Sequence, residues 1–266
     1  MKRVHYVEKY LLAPQHPVTV NLIGAGGTGS QVLSCLVRMD MALAGLGHPG
    51  LHVTVYDPDL VEQPNVGRQL FTPADIGLNK AQCLVSRLNA AFGLGWEAVS
   101  EKFPVKVKNA TERDMANIFI TCTDNVASRN KLDGFLNGAA AAMRCERGID
   151  HRSLLYWLDF GNRQNTGQVV LGTIPDTITQ PTVEDMETVA SLPKITEMPG
   201  YDDVRDDDSG PSCSLAEALE KQDLFINSTL AQLGCNLLWK MFRHGHLDHR
   251  GLYLNLETMV VNPMAV

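Results

Sequence analysis

The chain has 266 residues, is 44% hydrophobic and 20% charged, and carries a formal net charge of −7. A chain this long buries roughly three-quarters of the surface it exposes unfolded, so its core needs neither metal nor disulfide, and it amounts to one large domain or two small ones. The acidic balance weighs against binding along a phosphate backbone, which needs a clustered positive surface, so nucleic acid is not an expected partner. The amino-terminal MKRVHYVEKY lacks the apolar run of a signal peptide, and no stretch approaches the roughly 18 to 20 apolar residues that span a bilayer. The expectation is a cytoplasmic protein with no membrane partner.

The β-branched run Val18 to Ile23 breaks into glycines and resumes as a helical pattern through Met39, which reads as strand, tight turn and helix. Leu51, Val53 and Val55 alternate in LHVTVYD, a second strand with Asp57 and Asp59 at its carboxyl end. Ala81, Leu84, Val85, Leu88 and Phe92 recur at helical spacing from Lys80. NIFITCTDN is a short buried strand, and LLYWLDFGN and GQVVLGTI are two later strands joined at Asn162 to Thr166. Strands alternating with helices predict an α/β, Rossmann-like, mostly parallel sheet covered by helices, with ligands at the strands' carboxyl ends. Residues 179–212, rich in acid, proline and glycine, read as a long mobile crossover loop. Beyond it, Ser214 and Glu217 have capping-box spacing, ahead of one long helix or two broken near Asn227 or Gly234. GLYLNLETMVV closes the chain as a strand or hairpin. The organisation expected is a single domain over 1–266: a nucleotide-binding core (1–178), the loop (179–212), and a carboxyl-terminal helical and strand part (213–266).

GAGGTGS sets Gly24, Gly26 and Gly29 in the G-x-G-x-x-G pattern between strand and helix, where backbone N–H groups and the helix dipole meet a phosphate. The same pattern fits dehydrogenases, methyltransferases and nucleotide binders alike. Asp57 is placed to accept from a ribose hydroxyl, or else is a strand-end turn residue. The following Asn65, Arg68, Gln69 and Lys80 separate these readings, because a hydride-transfer enzyme leaves its cofactor's pyrophosphate intact and has little use for them. Arg68 and Lys80 suit the charge that builds on a phosphorus under attack, Asn65 a phosphate or ribose oxygen, and Asp124 a magnesium ion.

The ordered set GAGGTGS, DPDLVEQPNVGRQ, DIGLNKA and CTDNVASRN resembles the ubiquitin-activating superfamily in its compact bacterial ThiF/MoeB/HesA form, and within it the ThiF-family proteins of the PRTRC gene cluster. The resemblance runs from about Asn21 to Asn130 and more weakly from Cys213. It implies ATP- and magnesium-dependent adenylation of the C-terminal carboxylate of a small ubiquitin-like, β-grasp protein ending in glycine, and a homodimer. It assigns Gly24, Gly26, Gly27 and Gly29 to the phosphate loop, Asp57 to the ribose, and Asn65, Arg68 and Lys80 to the phosphates. Asp124 goes to the magnesium with Asn125 and Arg129 as neighbours, and Gln69 and Asp59 are fainter matches. Cys213 falls where relatives place a cysteine that takes the acyl group as a thioester. Its own setting near a helix start favours thiolate, and an inert thiol is the competing reading.

The sequence departs from the family at three points. The six cysteines (Cys35, Cys83, Cys122, Cys145, Cys213, Cys235) form no Cys-x-x-Cys pair, so no zinc is expected. No amino-terminal arginine signature is recognisable, with Arg3 and Lys9 as the candidates to reach a partner's ATP. The connection from the glycine loop to Asp57 is long, around Gly45 to Gly50. The residues leave open an ATP-dependent enzyme acting on a tRNA or small-molecule carboxylate, a nucleotide-binding scaffold without catalysis, and a nicotinamide dehydrogenase. His244, His246 and His249 are helix-end residues before they are metal ligands.

Overall fold

The computed structural model describes residues 2–104, 106–143, 149–201 and 215–266. In chain order the elements are β1 (Lys2–Tyr6), β2 (Val18–Ile23), α1 (Gly27–Gly45), β3 (Leu51–Tyr56), α2 (Lys80–Phe92), β4 (Glu97–Val99), β5 (Ile118–Thr121), α3 (Val126–Met143), β6 (Tyr156–Asn162), β7 (Thr166–Thr173), β8 (Met186–Thr188), α4 (Leu215–Lys221), α5 (Ile226–His244), β9 (His246–Leu247), β10 (His249–Asn255) and β11 (Val260–Ala265).

Eight strands form one sheet in the order β11-β10-β7-β6-β5-β2-β3-β4. The run β4-β3-β2-β5-β6 is parallel, and β7, β10 and β11 continue it antiparallel. Alternation along the strands sorts the core into two faces. Ile118 and Ile120 join β2, β3, α1, α2 and α5 in one cluster. Phe119 between them joins Leu132, Phe135 and Leu136 of α3, with Trp157 and Tyr201, in the other. The helices begin and end where backbone chemistry dictates. The Asn79 side chain accepts from the Gln82 N–H at the start of α2, and left-handed Gly93 and Gly245 stop α2 and α5.

The predicted α/β, mostly parallel, helix-covered architecture is the one observed, and the carboxyl-terminal helix divides just ahead of Asn227, between α4 and α5. Ser214 of the expected capping box lies outside the described residues. The segment expected as a mobile loop differs over 179–201, and its remainder, 202–212, lies outside the described residues. Residues 179–201 carry β8, which pairs in parallel with β1, and bury Leu192, Ile195 and Tyr201. The pattern was invisible locally because the partner strand β1 is about 180 residues away and the buried residues follow neither a 2- nor a 3.6-residue period.

Candidate active site

Register alone brings three loops together. Ile23, the last residue of β2, pairs with Tyr56 of β3 on one side and Thr121 of β5 on the other. The glycine loop, the segment from Asp57 to Lys80 and the Cys122–Asn125 turn therefore leave the sheet side by side at its carboxyl edge, where an open α/β sheet takes its ligands.

The four loop glycines have different reasons to be glycine. Gly24 has φ +96°, and a Cβ there would lie 2.8 Å from the Cys122 carbonyl oxygen. A Cβ on Gly29 would lie 1.8 Å from the Gly24 carbonyl oxygen, and one on Gly27 2.8 Å from Nδ2 of Asn227 in α5. Gly26 alone has room, its nearest neighbour being the Gln69 amide at 3.9 Å. The fold thus accounts for three glycines, and the fourth leaves an uncrowded backbone facing Gln69.

Asp57 is 5% exposed, and its carboxylate ties two of the loops. Oδ2 accepts from the Ala25 N–H at 2.6 Å and Oδ1 from the Asp59 N–H at 2.9 Å. Burial raises its pKa, against the pull of those two N–H groups. A ribose hydroxyl would share oxygens that already hold the loops together. Asn79, which the sequence reading passed over, fixes the same turn by donating to the carbonyls of Asp57 (2.8 Å) and Asp59 (3.1 Å). Its position directly before a helical run was the available signal.

Lys80 keeps a side chain only 11% exposed and reaches the open carboxylate of Asp59 at 3.2 Å. Asn65 spends its carbonyl oxygen on the Glu62 N–H at 2.8 Å, closing a 3-10 turn over Gln63–Asn65. Arg68 donates from Nη1 to Gln222 Oε1 at 2.8 Å, while its Nε is buried without a hydrogen-bond partner, and burial lowers its pKa. Gln69, 7% exposed, likewise has an unpartnered buried Oε1. Buried polar atoms are ordinarily satisfied, so two neighbouring residues with open valences mark the place a polar ligand would fill. Gln222 and Asn227 were not foreseen as parts of this site, since nothing local links them to residues about 150 to 200 positions earlier.

Asp124 is exposed, with the Asn125 amide at 3.4 Å from one oxygen. Asn125 in turn accepts from the Ser128 N–H at 2.7 Å, at the start of α3. Behind them Arg129 is buried against Asp159, Nε to Oδ1 at 2.8 Å, and its Nη2 donates to the carbonyls of Thr123 and Phe160. Against the cost of burial, Asp159 keeps that guanidinium's pKa above its ordinary value. Magnesium is commonly held by one or two carboxylates plus substrate phosphates, and a single free carboxylate at the loop tip fits that donor set. Among the described residues no group of three or more His, Cys, Asp or Glu is arranged to hold a metal. Cys122 follows the end of β5 and packs partly buried against the core, and burial pushes its thiol well up, which disfavours the thiolate. Arg3 pairs with Glu187 on β8, away from these loops. Cys213 lies outside the described residues.

Residues 16–143 match the ThiF family. All three loops, from Gly24 to Asn125, fall inside that segment, which ends with α3. The fold is shared with PaaA, at 14% identity and a TM-score of 0.59 over 94% of this chain and 64% of that one. It is also shared with E. coli MccB crystallised with ATP, at 14% identity and a TM-score of 0.57 over 96% and 64%, and with MccB crystallised with AMPCPP and MccA, at 14% and 0.58 over 93% and 63%. The chain thus spans less than two thirds of the length of these structures. No curated protein matches it in sequence.

Next to the ThiF-matching loops, Asp75 carries a pH-dependent part of the stability. Burial alone would raise its carboxyl, but hydrogen bonds from the Thr72 backbone, Cys83, Arg87 and the Thr72 hydroxyl bring it well below the usual carboxylate range. A carboxyl depressed on folding stabilises the protein above its unfolded pKa of about 3.9, and that contribution fades as the pH falls through the folded value. Asp75→Asn is expected to lower the thermal midpoint at pH 7 and to converge on the parent protein as the pH falls below about 4, which melting curves at pH 7, 4 and 2.5 measure.

Proposed function

We propose that the protein uses ATP to adenylate the C-terminal carboxylate of a small ubiquitin-like, β-grasp protein ending in glycine, as a ThiF-family enzyme of the PRTRC type acting in the cytoplasm as a homodimer. The observation that carries the reading is the convergence, at one sheet edge, of an uncrowded Gly26, of Arg68 and Gln69 with unpartnered buried atoms, and of the free carboxylate of Asp124. The E. coli MccB structures with ATP, and with AMPCPP together with MccA, support a nucleotide and a second substrate on this fold.

In this reaction a carboxylate oxygen attacks the α-phosphorus and the bond to the pyrophosphate oxygen breaks, giving an acyl-adenylate and pyrophosphate. The protein's part is positioning and charge compensation. Arg68 and Lys80 neutralise phosphate oxygens, the N–H groups around Gly26 and Gly27 receive the phosphates at the start of α1, and Asn65 and Gln69 orient them. Asp124, steadied by Asn125, would hold magnesium, which offsets the charge of the leaving pyrophosphate. Asp57 keeps the loops in place and offers its remaining lone pairs to the ribose. The Cys213 thiolate then attacks the acyl carbon, the bond to the adenylate oxygen breaks, and AMP leaves as the thioester forms. Support for that step comes from α4, two residues beyond Cys213, which packs on the Gln63–Asn65 turn.

ATP–pyrophosphate exchange by the purified protein, with and without small ubiquitin-like proteins ending in glycine, tests the proposal. Exchange that requires the protein tail and disappears in Asp124→Ala is the expected result. Tight ATP binding with no exchange on any tail would overturn it.

A further inference from the structure

Helices α1 and α5 lie side by side against one face of the sheet and run in the same direction. Asn227 packs on Gly27 and accepts from the Thr28 hydroxyl at 2.8 Å near their amino ends. Seven or eight residues further along each helix, Cys35 and Cys235 lie in the same buried cluster where α1 packs on α5. Both cysteines are free, and they are 4% and 5% exposed. Directly outside them Arg38 donates from Nη2 to the Cys35 sulfur at 3.2 Å and to Gln232 Oε1 at 2.9 Å. Arg38 lies three residues from Cys35, and Gln232 three from Cys235, so each pair shares a helix face. The two thiols are therefore paired across the helix interface, one layer beneath an exposed arginine–glutamine bridge.

A cysteine buried among apolar groups is inert, whereas a guanidinium at the sulfur favours the thiolate. The neighbouring Cys235, acting against burial and with the help of Arg38, lowers the Cys35 pKa, and the same pairing raises that of Cys235. The neighbouring Cys122 thiol is pushed up by burial and offers no competing thiolate.

We propose that Cys35 and Cys235 form a peroxide-oxidisable site that closes as a reversible disulfide between α1 and α5. The Cys35 thiolate attacks one peroxide oxygen, the O–O bond breaks, and hydroxide leaves with a proton to become water, giving the sulfenic acid at Cys35. The Cys235 sulfur then attacks the Cys35 sulfur, the S–O bond breaks, and a second water leaves. Two thiols have lost two electrons and two protons, and one hydrogen peroxide has become two waters. The disulfide closes a long stretch of chain and so restricts the unfolded state. It also staples α5 to the helix that begins in the glycine loop.

The test uses the full chain treated with hydrogen peroxide, alkylated with iodoacetamide and digested without reduction for mass spectrometry. The expected product is a single cross-link between the Cys35 and Cys235 peptides, two hydrogens lighter than their sum, absent from Cys35→Ser and Cys235→Ser and reversed by dithiothreitol. Its formation should be slower by about tenfold in Arg38→Ala, which removes the positive charge at the thiol. The oxidised parent protein should melt higher than the reduced one. Full alkylation of Cys35 after peroxide, oxidation that stops at a sulfinic acid with Cys235 still alkylated, or cross-linking of either residue to another cysteine would each overturn the proposal, whether or not the protein adenylates anything.

Discussion

Replacing Arg68 with alanine is expected to slow partner-dependent ATP–pyrophosphate exchange by on the order of 10² or more, with the thermal midpoint displaced by no more than about 3 °C. The asymmetry follows from how the side chain is held. Its Nη1 bond to Gln222 is a single hydrogen bond from a charged donor to a neutral amide, worth about 1.5 to 3 kcal/mol, whereas its buried Nε lacks a partner and costs about 1 to 3 kcal/mol in the same currency. Deleting the guanidinium therefore removes roughly as much strain as support. What the fold gains little from, the developing charge on phosphorus would need most, since a positive group in a water-poor crevice is felt far more strongly than in bulk solvent. Exchange rates and melting curves on the same preparation decide the matter. A loss of exchange matched by a large loss of stability would make Arg68 a structural residue.

Gly29→Ala is expected to show the reverse, a large loss of stability from one methyl group. The added Cβ would stand 1.8 Å from the Gly24 carbonyl oxygen, a backbone atom fixed by the Gly24 N–H bond to Tyr56 at 2.9 Å and by the neighbouring Cys122. No rotamer relieves that contact, so the turn between β2 and α1 must open. Overpacking of this kind costs about 3 kcal/mol or more, against which alanine's better helix propensity returns only about 1 kcal/mol. The midpoint should fall by roughly 4 to 8 °C, and differential scanning calorimetry reads it directly. Gly26→Ala is the matching control: with nothing within 3.9 Å of its Cβ, it should keep the midpoint and show its effect, if the phosphate loop is real, on nucleotide binding.

Much of the candidate site was legible because it is local. The chain from Gly24 to Lys80 carries its meaning in short spacings: glycines where a strand turns into a helix, an aspartate at the next strand's end, a basic pair before an amphipathic helix. Asp57 was read as a ribose ligand from that position, and position cannot show that both its oxygens are first taken by the N–H groups of Ala25 and Asp59. The order found over residues 179–201 was hidden for the opposite reason. Its acids, prolines and glycines lack any period, and its packing depends on an edge strand at the far end of the chain.

By itself the sequence determined the α/β class, the strands β2, β3, β5, β6 and β7 and the helices that follow the glycine loop and Asn79, because hydrophobic periodicity and glycine conformational freedom act over a few residues. Only the tertiary structure decided which of the candidate site residues remain free to meet a ligand. Gln222 and Asn227 return from the carboxyl-terminal part to bind Arg68 and Thr28, and the register of β2 between β3 and β5 sets three loops side by side. The same packing of α5 on α1 brings Cys235 to Cys35. Contacts between residues about 150 to 200 positions apart leave no mark on local pattern, since they are selected by the shape of the assembled core and not by the chemistry of either segment alone.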